Sequence, residues 1–204
     1  MATDLRVIKT KKAIKKAFID VVNEKGYVNI AVRDITDRAM INRNTFYLHY
    51  TSKDDLVDQL VKEVILEQEK QFFYILATMK NDIYDLDEHV FVYCAKALLK
   101  TLKEDEEFYR LIIKDNALRG YITRLSRTLR AGLRRALHLK GEAEYTIFEY
   151  MFSGFFGVIE YRFSQEDLEI EETSQILGKC FYSAVQYIKI IRRNPEELYK
   201  WKTN

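Results

Sequence analysis

The sequence predicts an all-α protein, and three observations support this class. Its 204 residues include one proline and seven glycines, the two residue types that interrupt helices most strongly. Apolar residues recur at intervals of three and four along most of the chain, which is the period of an amphipathic helix. Turn dipeptides such as Asn-Gly and Asp-Gly, which would indicate hairpins, are not found in the sequence.

Composition narrows the class of protein further. The chain is 48% hydrophobic and 31% charged, which is enough apolar material for a core. Cys94 and Cys180 each stand alone in an apolar stretch, without the spacing of a zinc site or a disulfide framework. The N-terminus lacks the apolar core of a signal peptide, and no segment approaches the roughly 18 uncharged apolar residues of a membrane span. We therefore expect a soluble, cytoplasmic protein without a membrane partner.

The first predicted helix runs over residues 5–24 and is strongly basic in its first half. Gly26 follows its last periodic residue and suits a helix C-cap. Its lysines are Lys9, Lys11, Lys12, Lys15 and Lys16. A lysine-rich face is either a solvated surface or a patch that attracts phosphates without sequence preference.

Two short helices follow, joined by a tight turn. The first is predicted over Val32–Arg38, and Met40-Ile41 forms the turn. Asn42 has the side chain of an N-cap, so the next helix is predicted from Arg43 to about His49. Two short helices with such a turn form a helix-turn-helix unit.

Longer helices make up the rest of the chain. Ser52 is a second candidate N-cap, and a helix is predicted from 53 toward Met79. Further helices are predicted at 86–103, 105–114, 116–138, 143–164 and 172–192, and Asn194-Pro195 ends the last of them.

The second short helix has the residues that reading DNA requires. Arg43 can make a bidentate contact to guanine, and Asn44 can make one to adenine. Phe46 and Tyr50 are four residues apart, share a helix face and can anchor the helix to the domain core. The sequence therefore predicts that this helix enters the major groove of a double-stranded DNA operator.

Tyr47, His49 and Lys53 lie on or just after the same helix. Each can reach a phosphate, and such contacts position a protein on DNA without reading its sequence. The aromatic residues of this helix and the residues just after it are thus predicted to have two roles: some pack against the domain core, and others contact the DNA backbone.

The stretch VRDITDRAMINRNTFYLHYTSKDDL, residues 32–56, resembles the DNA-binding signature of TetR/AcrR-family transcriptional regulators, and AFIDVVNEKGY upstream resembles the end of that family's first helix. The resemblance covers roughly residues 9–60. It implies a TetR-like all-α fold, with a helix-turn-helix domain at 1–55 and a helical effector-binding and dimerisation domain at 56–204. It also implies a homodimer on a pseudo-palindromic operator, most often as a repressor.

By this resemblance, seven residues meet DNA. Four of them would meet DNA from the second and third helices, namely Arg33, Arg43, Asn44 and Tyr47, and the other three, Thr45, His49 and Lys53, would meet phosphates. The sequence departs from the family at Ala31, where a capping Thr or Ser is common, and at Met40, where glycine is usual. If the backbone at Met40 is left-handed, its side chain costs roughly 1 kcal/mol.

The last two long helices match the family's dimerisation helices. Gly154 and Gly157 would allow a partner backbone to approach, and Gly178 lies on a neighbouring face of the second helix. The predicted interface residues are Phe148, Phe152, Phe156, Phe181, Val185 and Ile188. The alternative is that the two helices are an interior pair of a monomer.

Many relatives bind a small molecule in the second domain. Residues that could line such a cavity are Tyr93, Phe108, Tyr109, Tyr121, Phe152 and Phe155, although aromatic residues at this spacing also form plain core. Residues 104–133 resemble the DhaS-like branch, in which a regulator can answer to a partner protein. An effector-released repressor and a protein-regulated activator both remain open.

The arginine-rich helix 116–138 is either a second nucleic-acid surface or a basic face neutralised within the protein. His89 and His138 are isolated, and no catalytic, metal-binding or cofactor-binding motif is present in the sequence. We therefore expect no enzyme, metal or cofactor. A helical interaction module that has lost DNA binding remains as an alternative function.

Overall fold

A computed structural model describes residues 5–78, 82–165 and 169–202 of the chain. Within them the protein is all α-helical, as predicted, with three short 3-10 segments and no strand. The helices are α1 Leu5–Lys25, α2 Val32–Arg38, α3 Arg43–Tyr47, α4 Lys53–Thr78, α5 Glu88–Glu104, α6 Glu106–Lys114, α7 Arg119–Ala136, α8 Gly141–Ser164 and α9 Ile170–Arg193. The predicted helix that ended near His49 is shorter and ends at Tyr47.

The chain packs as two compact units that do not follow its linear order. The first unit comprises the described residues up to Ile65 together with Asp105–Leu125. The second comprises Leu66–Glu104 and the described residues from Ser126 onward. The functional boundary predicted between residues 55 and 56 stays a prediction.

The first unit has a core built by α1 to α4 and α6. Its fully buried side chains include Ile14, Phe18, Ile35, Phe46, Leu56, Phe108 and Ile112. Two lysines of α1 reach carboxylates at the start of α6: Lys15 Nζ lies 2.5 Å from Asp105, and Lys16 Nζ lies 2.9 Å from Glu107. The α6 segment is therefore an integral part of the unit that carries the helix-turn-helix.

The second unit is organised by the contact between α5 and α9. A Cβ added at Gly178 of α9 would lie 2.4 Å from the Cα of Val92 on α5. The two helices therefore approach as closely as their backbones allow, and Gly178 is where they do so. Its role is thus to admit α5 of the same chain.

A charged cluster fixes the connection between α7 and α8. The Arg192 guanidinium binds the Glu144 carboxylate with two hydrogen bonds, Nε to Oε1 at 2.8 Å and Nη2 to Oε2 at 2.7 Å. Arg192 also donates to the carbonyl of His138 and lies over the Tyr84 ring. Burial would raise the pKa of Glu144, but the hydrogen bonds from Arg192 and the Lys140 amide hold that pKa below its usual value.

No helix in the described part of the chain has the length and apolar character that crossing a membrane requires.

Candidate nucleic-acid interface

Ala31 is the N-cap residue of α2, and its methyl side chain cannot accept a hydrogen bond from the helix. Asp34 supplies part of the missing cap, because its Oδ2 accepts the Ala31 amide hydrogen at 2.8 Å. Lys25 donates to the other oxygen of Asp34, and together these hydrogen bonds hold the pKa of Asp34 below its usual value. The sequence departure at Ala31 therefore leaves the start of α2 intact, while removing a hydroxyl that could touch a phosphate.

The turn between α2 and α3 is a Schellman motif. Ile41 donates its amide hydrogen to the Thr36 carbonyl at 3.1 Å, and Met40 donates to the Asp37 carbonyl at 3.2 Å. Met40 has the left-handed backbone of this motif, with φ 53°, where glycine is usual. The left-handed backbone at Met40 therefore carries the strain expected for it from the sequence, about 1 kcal/mol. The side chain is 91% exposed.

Helix α3 is fixed at its start and along one face. The Asn42 side chain accepts the Asn44 amide hydrogen at 2.8 Å, which confirms Asn42 as the N-cap. Phe46 and Tyr50 are fully buried, with ring centroids 5.5 Å apart, so their predicted anchoring role is confirmed. A helix of five residues is too short to persist alone, and these contacts hold it in place.

The opposite face of α3 is open to solvent. Arg43, Asn44, Tyr47 and Leu48 are all exposed. The guanidinium of Arg43 donates to the Tyr47 hydroxyl, at 3.0 Å from Nη2 and 3.3 Å from Nε. These exposed groups offer hydrogen-bond donors and acceptors of the kinds that read base edges and phosphates.

The other predicted contacts differ in accessibility. Arg33 has an 84% exposed side chain and lies 3.4 Å from Asp37 on the next turn of α2. Thr45 and His49 are half-buried beside the anchoring face. The backbone carbonyl of His49 accepts a hydrogen bond from the Gln59 side chain at 3.2 Å. This bond ties the residues that follow α3 to α4.

Lys53 has partners that the sequence did not suggest. Its ammonium donates to the carbonyl oxygens of Tyr27 and Ile30 at 2.9 Å each and of Val28 at 3.4 Å. It also lies 4.6 Å from the centroid of the Tyr27 ring. An ammonium has three hydrogens, so all of them are used within the protein. A phosphate contact by Lys53, which stays a prediction, would require one of these bonds to be exchanged.

The 3-10 turn Tyr27–Asn29 is held from two further directions. Burial, together with a hydrogen bond donated to Asp54, raises the pKa of the Tyr27 hydroxyl well above its usual range. Asp115, between α6 and α7, accepts the Tyr27 amide hydrogen at 2.8 Å and the Ala117 amide hydrogen at 2.9 Å. Sequence reasoning missed Asp115 because 88 residues separate it from Tyr27 and no local pattern links them.

The lysine-rich half of α1 is largely paired within its own unit. Besides the pairs of Lys15 and Lys16 with α6, Lys11 lies 3.7 Å from Glu63 of α4. Lys9 and Lys12 are exposed. This arrangement favours a neutralised face over a broad patch for phosphates.

The residues predicted to line an effector cavity divide equally between the two units. Phe108 and Tyr109 are buried and Tyr121 is half-buried in the first unit. In the second unit Phe152 is buried and Phe155 is half-buried, whereas Tyr93 is 65% exposed. The cavity itself stays a prediction.

The residues predicted for the dimer interface lie mostly in the core of the second unit. Phe148, Phe152, Val185 and Ile188 are at most 1% exposed, because they form the core of the second unit. A side chain already buried in its own chain has no surface left to offer a second copy. Phe156 and Phe181 are partly buried and pack against the same core.

Other residues of α8 and α9 form exposed stripes. On α8 the stripe is Tyr150, Gly154, Gly157 and Tyr161, and on α9 it is Ile176, Cys180, Ser183, Tyr187 and Ile190. Intervals of three and four place each set on one helix face. A Cβ at Gly154 or Gly157 would meet no atom within 4 Å, so both glycines face open space.

The arginines of α7 are partly neutralised within each unit. Arg124 lies 2.6 Å from Asp58 in the first unit. In the second unit Arg130 and Arg134 both approach Glu149, at 2.8 and 3.9 Å. These pairs favour the alternative of an internally neutralised basic face. In the described part of the chain no three His, Cys, Asp or Glu residues are grouped as metal ligands would be.

Comparisons with known proteins find similar sequences among bacterial transcriptional regulators. Residues 16–60, which include α2 and α3, match the family described as "Bacterial regulatory proteins, tetR family". The Bacillus subtilis HTH-type transcriptional regulator YxbF is 42% identical over 65 residues, covering 31% of this chain and 17% of that protein. The Lactococcus lactis dhaKLM operon transcriptional activator DhaS is 30% identical over 103 residues, 50% of this chain and 48% of that protein. The chain therefore matches less than a fifth of the length of YxbF and about half of the length of DhaS.

Solved structures share the fold over most of the chain. A TetR transcriptional regulator from Streptococcus agalactiae has a TM-score of 0.56 at 22% identity, covering 91% of this chain and 96% of that one. The dihydroxyacetone kinase operon activator DhaS has a TM-score of 0.54 at 20% identity, covering 89% and 97%.

The fold and the exposed recognition helix define a helix-turn-helix DNA-binding protein of the all-α class. Residues 16–60 of the chain carry the sequence pattern of the tetR family of bacterial regulatory proteins, and the fold is similar to that of solved TetR-type regulators.

Proposed function

We propose that this protein is a homodimeric repressor that binds a pseudo-palindromic operator through the exposed face of α3. The observation that carries the proposal is the division of α3 into a buried anchor, Phe46, and an open face that presents Arg43, Asn44 and Tyr47. Binding to an operator would put the protein on the chromosome, in the bacterial cytoplasm.

The side chains of α3 take different roles in this proposal. Arg43 and Asn44 read base edges, since their groups match guanine and adenine. Tyr47 leaves its hydrogen bond with Arg43 when Arg43 turns to a base, and its hydroxyl then meets a phosphate. Further phosphate contacts come from Arg33, Thr45, His49 and Lys53, with Lys53 exchanging one of its carbonyl partners.

Replacing Arg43 tests the reading of bases. We expect Arg43→Ala to weaken binding to an operator selected from random DNA by about five- to 150-fold for each half-site and to relax sequence choice at one position. Arg38→Ala is the matched control, because Arg38 is bound to Glu24 away from α3. Anisotropy titrations on the selected and scrambled duplexes measure both effects. Unchanged discrimination in Arg43→Ala would show that Arg43 does not read a base.

A second copy of the chain is proposed to cover the exposed stripes of α8 and α9. Exposed apolar groups such as Ile176 and Ile190 on α9, and the uncovered Gly154 and Gly157 on α8, suit close helix packing between copies. We expect Ile190→Asp to shift the protein from dimer to monomer in sedimentation velocity. Tyr93→Asp, at an exposed position of α5 outside the stripes, should remain dimeric. If Ile190→Asp also sedimented as a dimer, another surface would hold the copies together.

Control by an effector is proposed to act through the α6–α7 junction. Asp115 fixes this junction to the Tyr27–Asn29 turn of the DNA-binding helices. A small molecule that shifts α6 would therefore shift those helices too and release DNA. Addition of candidate compounds to the operator complex, with Asp115→Ala as the uncoupled variant, tests this route.

The second candidate is a transcriptional activator controlled by a partner protein. It is favoured by the 30% identity, over 103 residues, to DhaS, which is named an operon transcriptional activator. A reporter gene placed behind the selected operator separates the two functions, since expression rises on removal of a repressor and falls on removal of an activator. A third candidate, an interaction module without DNA binding, predicts no affinity for any duplex at low salt.

A further inference from the structure

Leu48 is an apolar residue in an unusual place. It follows the last residue of α3 and its side chain is 81% exposed, although the preceding side chains on this face are polar. Its backbone is still helical, with φ −68° and ψ −20°, and its amide donates to the Asn44 carbonyl at 3.1 Å. Leu48 therefore lies one helical turn beyond Asn44, on the same face.

The position of Leu48 limits what can cover it. Arg43 with Tyr47, and Asn44 with Leu48, form two adjacent rows on the face that the proposed function turns toward DNA. Whatever Asn44 meets, Leu48 meets next along the helix axis, about 6 Å further on. An occupant other than DNA would have to block the residues that read the operator.

We propose that Leu48 reads a thymine by packing against its C5-methyl group, and this inference rests on the proposed function. In the major groove only thymine presents an apolar group, whereas the other bases present donors and acceptors there. An isobutyl side chain against those polar edges would strip them of water without replacing the lost hydrogen bonds. Leu48 therefore favours thymine and disfavours the other three bases.

Geometry also predicts where this thymine lies. Base pairs are spaced by about 3.4 Å along each strand, so 6 Å along α3 corresponds to about two base pairs. The thymine should lie within about two base pairs of the adenine read by Asn44, once in each half-site.

Removing single methyl groups from DNA tests the proposal. An operator is first selected with the wild-type protein, and each thymine of one half-site is then replaced by deoxyuracil, which lacks only the methyl group. We expect one replacement to weaken wild-type binding about three- to fivefold, the effect of removing about one buried methyl group. With Leu48→Ala the same replacement should have no effect, because the partner of the methyl group is already gone.

Val28→Ala is the matched control. Val28 is 74% exposed in the same unit but lies on the Tyr27–Asn29 turn, so this variant should keep the wild-type deoxyuracil profile. Because Leu48 is 81% exposed, Leu48→Ala should fold normally, as a circular dichroism spectrum would verify.

Two outcomes would overturn the assignment of Leu48: no thymine sensitive to loss of its methyl group, or a sensitive thymine that stays sensitive in Leu48→Ala. Both differ from failure of the proposed function, in which the wild-type protein would select no duplex.

Discussion

The close approach of α9 to α5 at Gly178 allows a quantitative prediction. Gly178→Ala adds one methyl group to α9 at the point where this helix meets α5. The new Cβ would lie 2.4 Å from the Val92 Cα, 2.6 Å from its backbone nitrogen and 2.8 Å from its Cγ2. Carbon atoms normally approach no closer than about 3.5 Å. The first two of these atoms belong to the backbone, so no side-chain rotation can relieve the clash, and the helices must separate by about 1 Å.

Two opposing effects set the change in free energy of unfolding. Overpacking of a core costs about 1–3 kcal/mol, and a clash with backbone atoms belongs in the upper part of that range. Alanine returns about 1 kcal/mol, because it is a better helix former than glycine. We therefore expect Gly178→Ala to destabilise the protein by about 1–2 kcal/mol.

Gly132→Ala measures the second effect alone. Gly132 lies in α7, and a Cβ there would meet no atom within 4 Å. This variant should be more stable than wild type by about 0.5–1 kcal/mol. The difference between the two alanine variants, about 1.5–3 kcal/mol, then reports the packing cost at Gly178.

Urea unfolding followed by far-ultraviolet circular dichroism provides the assay. All three proteins are compared at one concentration, because the stability of an oligomer depends on it. With a slope of about 2 kcal/mol per molar urea, the midpoint of Gly178→Ala should fall by about 0.5–1 M. If Gly178→Ala were as stable as Gly132→Ala, the close approach of α5 and α9 would be wrong.

The remaining predictions concern two charged groups. Folding lowers the pKa of Glu144, so its ionised form stabilises the folded protein. This contribution is fully present above the pKa of Glu in the unfolded chain, about 4.3, and is lost as pH falls through the lower pKa of the folded protein. Arg192→Ala should therefore cost about 2–4 kcal/mol at pH 7 and flatten the acid limb of a plot of unfolding free energy against pH; an unchanged acid limb would contradict this. Lys53→Met should lower the thermal midpoint because three carbonyls lose their donor, and a phosphate contact would in addition reduce the salt slope of DNA binding by about 1.

The fold class and the helix-turn-helix were predictable because their signals are local. Scarce glycine and proline, a three-to-four period, and an N-cap such as Asn42 act over a few neighbouring residues. The same is true of Phe46 and Tyr50, whose four-residue spacing identifies the anchored face of the short helix and the segment after it. Such features can be predicted without knowing which distant parts of the chain come into contact.

The partners of Lys53 and Asp115 were not predictable for the opposite reason. Lys53 reaches carbonyl oxygens, which every residue has, so no side-chain pattern marks them. Asp115 meets the amide of Tyr27, 88 residues earlier, and this contact depends on where α6 packs. Both groups look like ordinary surface charges when only their neighbours in the sequence are considered.

The burial of most residues predicted for the dimer interface has a physical basis in the sequence pattern. Helix α8 has apolar residues around most of its circumference, so its period does not distinguish a face that packs inside the chain from a face that meets a second copy. The large side chains of Phe148 and Phe152 led to their assignment to the interface. Large aromatic side chains are also the ones that a protein core buries most readily, and both lie in the core. The face left open is marked by Gly154 and Gly157, the smallest residues of the helix. For the homodimer that we propose, small residues with open space beside them are therefore a better guide to the contact than the largest apolar ones.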